Sequence, residues 1–121
     1  MKYKDVVDNL VIIAIAINFL EKVVSYIGQK NFPNTIGEGR VATAQLIGQY
    51  GLEGGHIVAF VITVVAIICL RYTFVYISPK LERYRIWKNI VMGISILGLV
   101  FIIAMSLYIA YNNIRIVWLN L

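Results

Sequence analysis

The chain has 121 residues, of which 60% are hydrophobic and only 14% are charged. A soluble domain carries about 25% charged residues, so this chain has too few to cover a water-facing surface, and its natural solvent is lipid. The net charge of +5 leaves nucleic acid, anionic lipid or the cytoplasmic bias of a membrane protein as explanations until the charges are placed.

The first apolar segment, 6–27, reads "VVDNLVIIAIAINFLEKVVSYI". A membrane span needs about 20 residues, and this one is long enough despite Asp8, Asn9, Asn18, Glu21 and Lys22. It has no small-residue cleavage site, so the expectation is a retained helix that doubles as targeting signal. Asn18, Glu21 and Ser25 are spaced i, i+3, i+7 and share one helix face. Ala14 and Gly28 extend this polar and small-residue stripe. A charge at mid-bilayer costs about 2.5 to 3.5 kcal/mol on insertion scales, so the stripe is expected either to pack on helices or to line an ion or ligand pathway. Lys22 lies one position off the stripe and is expected to snorkel outward.

Between the first two spans lies "GEGRVATAQLIGQYGLEGG", with six of the nine glycines. Its centre, 40–50, is too short to span and reads as a re-entrant or interfacial half-helix bracketed by glycine hinges. Ala44 and Gly48 form a small-xxx-small pair suited to close packing. The glycine-rich start lacks the GK[ST] of a P-loop and follows no strand, so it reads as a hinge.

The second span, 56–77, begins at the single histidine, His56, and carries Arg71 near its end, within snorkelling reach of headgroups. His56 with Glu53, Gln49, Gln45 and Glu38 makes a candidate polar cluster near one membrane face, where a histidine titrates near neutrality. Thr63 lies i+7 from His56 and is expected to bond back to its own helix. The lone Cys69 excludes an intrachain disulfide and a cysteine cluster. No HxxxH, HxxE or ExxH spacing occurs, so no metal site and no cofactor are predicted. Triad and nucleophile-elbow motifs are also missing, and a non-enzymatic role is expected.

The loop "SPKLERYRIWKN", 78–89, is basic. Lys80, Arg83, Arg85 and Lys88, with Tyr84 and Trp87 interleaved, suit anionic lipid; the positive-inside bias already accounts for them, so nucleic acid is not expected. The third span, 90–111, has no charge, and Gly93, Ser95, Gly98, Ala104 and Ser106 give it close-packing surface. A short amphipathic tail with Trp118 follows.

Six lysines and arginines (Lys2, Lys4, Lys80, Arg83, Arg85, Lys88) fall on one side and three (Lys30, Arg40, Arg115) on the other. That bias predicts a cell-membrane protein with a cytoplasmic N-terminus and an outer C-terminus. Tyr72, Tyr76 and Trp87 would mark the inner interface, and Tyr26, Tyr108, Tyr111 and Trp118 the outer one.

Asn18-Phe19-Leu20-Glu21 on the first span, Glu38-Gly39-Arg40-Val41 before the half-helix and the Tyr50-Gly51 break resemble the pattern of an uncharacterised family of small prokaryotic multi-pass membrane proteins. That pattern has an Asn-Pro pair after the glutamate, which Gly39-Arg40 does not supply. The resemblance covers about 10–77 and implies a multi-pass helical protein without an assigned activity. The Ile/Val/Tyr-rich composition is similar in style to proteins of thermoacidophilic archaea and their viruses.

The sequence thus predicts an all-α integral membrane bundle, one domain over 1–121, with three spans and a half-helix. Its polar face calls for partners: copies of itself, other membrane subunits and the bilayer. Three roles follow: a structural or accessory subunit of a membrane assembly, an oligomeric cation or proton pathway lined by Asn18, Glu21 and His56, or a lipid-embedded viral or vesicle coat protein.

Overall fold

The computed structural model describes residues 3–31 and 41–119. Three helices make up almost all of them: α1 (Tyr3–Asn31), α2 (Val41–Tyr72) and α3 (Arg85–Leu119). No strand occurs among the described residues. In lipid each backbone N–H and C=O must bond within its own segment, which favours long unbroken helices. Segments Tyr3–Lys30, Ile47–Leu81 and Arg85–Arg115 are long and apolar enough to cross a membrane. Asp5 in the first turn of α1 and Lys30 in its last both complement the helix dipole.

α2 is broken once, at Gly51 (φ 84°, ψ 172°), a conformation open essentially to glycine alone. The break separates a short arm, 41–50, from a long arm, 52–72. This is the expected half-helix, but one glycine makes the hinge. Gly55 instead permits a close approach: a Cβ there would lie 2.5 Å from Ile47 Cα and 2.6 Å from Ile47 N. The short arm therefore folds back against the start of the long one. Gly48 is exposed with open space around it. Its expected partner Ala44 has a side chain outside the described residues, as has Trp118.

The helical path continues past Tyr72 as a π turn (Thr73–Ile77) and a 3-10 turn (Ser78–Leu81). Pro79 offers no N–H and its ring crowds the preceding turn. Two hydroxyls also bond back to the backbone, Thr73 to Cys69 O at 2.9 Å and Ser78 to Phe74 O, which loosens the regular ladder. The expected basic loop is shorter than 78–89, because α3 begins at Arg85. The expected separate tail is instead a continuation of α3 as far as Leu119.

The contacts fix helix direction. Asn18 meets Ser106 and Ser25 meets Asn113, each pair 88 residues apart, so α1 and α3 run parallel in one register. Asp8–Arg71, Phe19–Phe60 and Tyr26–Glu53 advance along α1 while retreating along α2, so that pair is antiparallel. α1 packs along both neighbours. Where α2 and α3 meet, Gly98 receives Leu70, and a Cβ at Gly98 would lie 3.0 Å from Leu70 Cδ1. Gly93 faces open space.

The apolar core is Val7, Ala14, Ile67, Phe74 and Leu99, and it fills the end of the bundle nearer Asp8. The large apolar side chains elsewhere, such as Ile12, Leu97 and Phe101, point outward, as suits a surface solvated by lipid.

Candidate functional site

The half of the bundle nearer Lys30 has a polar interior. Asn18, Glu21 and Ser25 share one face of α1, as their spacing predicts, and each is 0% exposed. Two of them meet α3. Asn18 Nδ2 donates to Ser106 Oγ at 3.0 Å, and Asn113 Nδ2 donates to Ser25 Oγ at 2.8 Å. Each rung pairs one asparagine with one serine, with the helices exchanged between rungs. The i, i+7 spacing recurs on both helices, the heptad period at which one seam keeps facing its partner.

The face expected to need another chain is therefore largely met within this one. Only part of Asn18 remains: its amide Oδ1 is buried and has no hydrogen-bond partner among the described residues. Asn18 borders a cleft of about 360 Å³ between α2 and α3, beside Thr63, Ala66, Phe101 and Met105. Thr63 gives its hydroxyl hydrogen to Ala59 O at 2.9 Å, the expected back-bond.

Lys22 does not snorkel outward. It is 5% exposed, with Nζ 3.3 Å from Glu21 Oε2. α1 is flanked by two helices, so its buried face is wider than a single stripe and takes in the neighbouring position. An ammonium and a carboxylate held together are far cheaper to keep in a low-dielectric interior than either alone.

His56 is buried, and its Nε2 donates to Gln29 Oε1 at 3.0 Å. The Tyr26 hydroxyl donates to Glu53 Oε1 at 2.7 Å at the exposed end. The predicted cluster around His56 is thus built differently: Gln29 and Tyr26 of α1 supply the partners. Gln45 and Gln49 are exposed on the short arm, and Glu38 lies outside the described residues. Gln29 and Asn113 do not stand out in the sequence, and Ser106 reads there only as close-packing surface. The matching i, i+7 spacing of Ser106–Asn113 and Asn18–Ser25 was the available signal.

A second groove, of about 510 Å³, opens between α1 and α2. Phe19 and Phe60 meet edge to face across it with ring centroids 5.7 Å apart, and Tyr26 and His56 do so at 6.5 Å. Lys22 and Glu53 are its charged lining.

At the opposite end, Arg71 Nε donates to Asp8 Oδ1 at 2.8 Å. Arg71 is thus held by α1 and is partly exposed. Lys80, Arg83 and Arg85 are exposed, while Lys88 is half-buried with Nζ 3.5 Å from Glu82 Oε1. Among the described residues no group of His, Cys, Asp and Glu could hold a metal. Cys69 is exposed.

No protein-family model matches the chain, and neither does any curated protein or solved structure compared with it.

Proposed function

We propose that this membrane protein is non-enzymatic and serves as a structural or accessory subunit of a membrane assembly, docking through the cleft between α2 and α3. The observation that carries this reading is the Asn18 amide. One end is held by Ser106, and the other is buried without a partner among the described residues, beneath a cleft between α2 and α3 that Asn18 borders. A neighbouring helix with a donor at this depth completes the amide, and polar side chains join helices in this way in lipid. Copies of the chain packed through that cleft would be the homomeric form of the same role, with a lipid-embedded coat as its extended case. At the other end Lys80, Arg83 and Arg85 supply the contact with anionic lipid.

The test is cross-linking in native membranes. In a Cys69→Ser background, cysteines at Ala66 or Phe101 should cross-link to a neighbouring chain, and a cysteine at Ile12 should not. Purified protein should have a mass above that of one chain or bring other membrane chains with it. A monomer with equal, weak cross-linking at all three positions contradicts the proposal.

A cation or proton pathway is the second reading, favoured by buried Glu21, Lys22 and His56, since intramembrane ionisable groups mark pathways. It ranks lower because these polar side chains give way to Val7, Ala14, Ile67 and Leu99 toward the other end. Liposome flux with wild type and Glu21→Gln separates the two. Flux lost in the variant supports the pathway; its absence in wild type leaves the subunit.

A further inference from the structure

We propose that the Lys30 end of the bundle holds a phospholipid of the phosphoethanolamine type, with its phosphate at Lys30, its primary ammonium at Glu53 and the start of one chain in the groove between α1 and α2. This does not rest on the subunit reading, and it concerns the end opposite the Lys80, Arg83 and Arg85 surface.

Two spaces join there. Toward the end of α1, the groove of about 510 Å³ gives way to a pocket of about 430 Å³. Tyr26 and Glu53 line both, and the 2.7 Å hydrogen bond between them forms the sill from one to the other. The groove is apolar along Phe19, Ile27, Ile57 and Phe60, while the pocket adds Lys30 and Tyr50. Lys30 closes the span Tyr3–Lys30, so the pocket stands at headgroup depth and the groove lies just deeper. From Tyr26 the groove follows α1 for about 10 Å, as far as the edge contact of Phe19 with Phe60. Phe19, Ile27 and Ile57 are exposed along its rim, which leaves it open sideways to the layer from which a lipid enters. The Lys22 ammonium is buried away from the groove and takes no part. A polar pocket set on an apolar groove suits an amphiphile.

The charges select its headgroup. Lys30 Nζ stands 5.6 Å from the centroid of the Tyr26 ring, within cation–π range, and it pairs with no carboxylate among the described residues. The hydroxyl of the same ring donates to Glu53. One phenol therefore holds a cation and an anion apart in one pocket. Both charged side chains are exposed. A ligand with one charge of each sign meets both, whereas an anionic headgroup meets Lys30 and finds Glu53 of its own sign. Complementarity thus favours a zwitterion.

The carboxylate then selects the amine. Quaternary ammonium groups are recognised by cages of aromatic faces. Here Lys30 already sits over Tyr26, and Tyr50 alone makes no cage. Glu53 Oε1 accepts from Tyr26, but a carboxylate has acceptor sites beyond that one. A primary ammonium can donate to them, and a quaternary one cannot.

The test is native mass spectrometry of the full chain, exchanged from detergent into equal parts of phosphatidylethanolamine, phosphatidylcholine and phosphatidylglycerol with the same chains. A Lys80→Gln/Arg83→Gln/Arg85→Gln background removes the anionic-lipid contact at the other end. Phosphatidylethanolamine should be retained about fivefold over phosphatidylcholine, the scale of one exposed charge contact. Glu53→Gln should abolish that preference, and Lys30→Gln should weaken retention of both zwitterionic lipids; both side chains are exposed, so these variants should fold as the parent does. Glycerophosphoethanolamine, the headgroup without chains, should not displace the lipid. Equal retention of the two zwitterionic lipids, a preference that survives Glu53→Gln, or displacement by glycerophosphoethanolamine overturns the proposal. So does a preference for phosphatidylglycerol that Lys30→Gln removes, because the site would then select an anion.

Discussion

Four glycines in one segment predict three different outcomes when each is replaced by alanine. At Gly55 the new Cβ would sit 2.5 Å from Ile47 Cα, 2.6 Å from Ile47 N and 2.7 Å from Ile47 Cγ1. Carbon atoms rest at about 3.5–4.0 Å, so the short arm must retreat by about 1 Å, and two of the three obstacles are backbone. Overpacking of this kind costs about 1–3 kcal/mol. At Gly51 the space is open, but φ is 84°, and holding alanine there costs a similar amount, about 1–3 kcal/mol. At Gly54 the new methyl meets Tyr50 Cβ at 3.1 Å, a contact relieved by a few tenths of an ångström, and the net change should be near zero. Gly48 has nothing within 4 Å, and alanine there should gain about 0.8–1.0 kcal/mol of helix propensity. Gly48→Ala and Gly55→Ala should thus differ by about 2–4 kcal/mol. Unfolding in mixed micelles with rising SDS, followed by circular dichroism, reads the order. If Gly55→Ala is as stable as Gly48→Ala, the fold-back of the short arm is wrong.

A double-mutant cycle on Asn18→Ala and Ser106→Ala should give a coupling of about 0.6 kcal/mol and no more than about 1.7, measured by the same titration; zero coupling would remove that rung. Ser25→Ala should cost more than Asn113→Ala, because the first leaves the Asn113 amide buried without its acceptor. Amine acylation followed by mass spectrometry should modify Lys30 and Lys80 quickly and Lys22 only after unfolding. Replacing Lys80, Arg83 and Arg85 with glutamine should weaken retention of anionic lipid in native mass spectrometry, by about fivefold per residue if each contributes about 1 kcal/mol.

Much of this architecture is legible in the sequence because lipid imposes it. Spans are recognisable from length and charge alone, and the Asn18–Glu21–Ser25 face follows from helical spacing. What meets that face is harder to read. Ser106 looks like a small residue for close packing, and Asn113 stands beyond the charge-free run in what resembles a tail. Only the parallel register brings them to α1. Lys22 was misjudged for a related reason: a stripe drawn for one neighbour is too narrow for a helix with two. The hinge was partly legible, since glycines crowd 48–55. Which of them bends and which merely yields room depends on backbone geometry that composition does not encode.

The constant separation of 88 residues between α1 and its α3 partners also sets an order of events during synthesis. At about 5–20 residues per second, Asn18 and Ser25 precede Ser106 and Asn113 by roughly 4–18 s. The first helix must therefore wait in the translocation machinery or the bilayer with its amide and hydroxyl unmatched. The hairpin with the second helix is complete earlier, closed by Asp8–Arg71, Phe19–Phe60 and Tyr26–Glu53. The third helix arrives last and is threaded alongside the first in the same direction. A nascent chain stalled before Ser106 should carry an open polar seam, and insertion chaperones or quality-control proteases would meet that seam first.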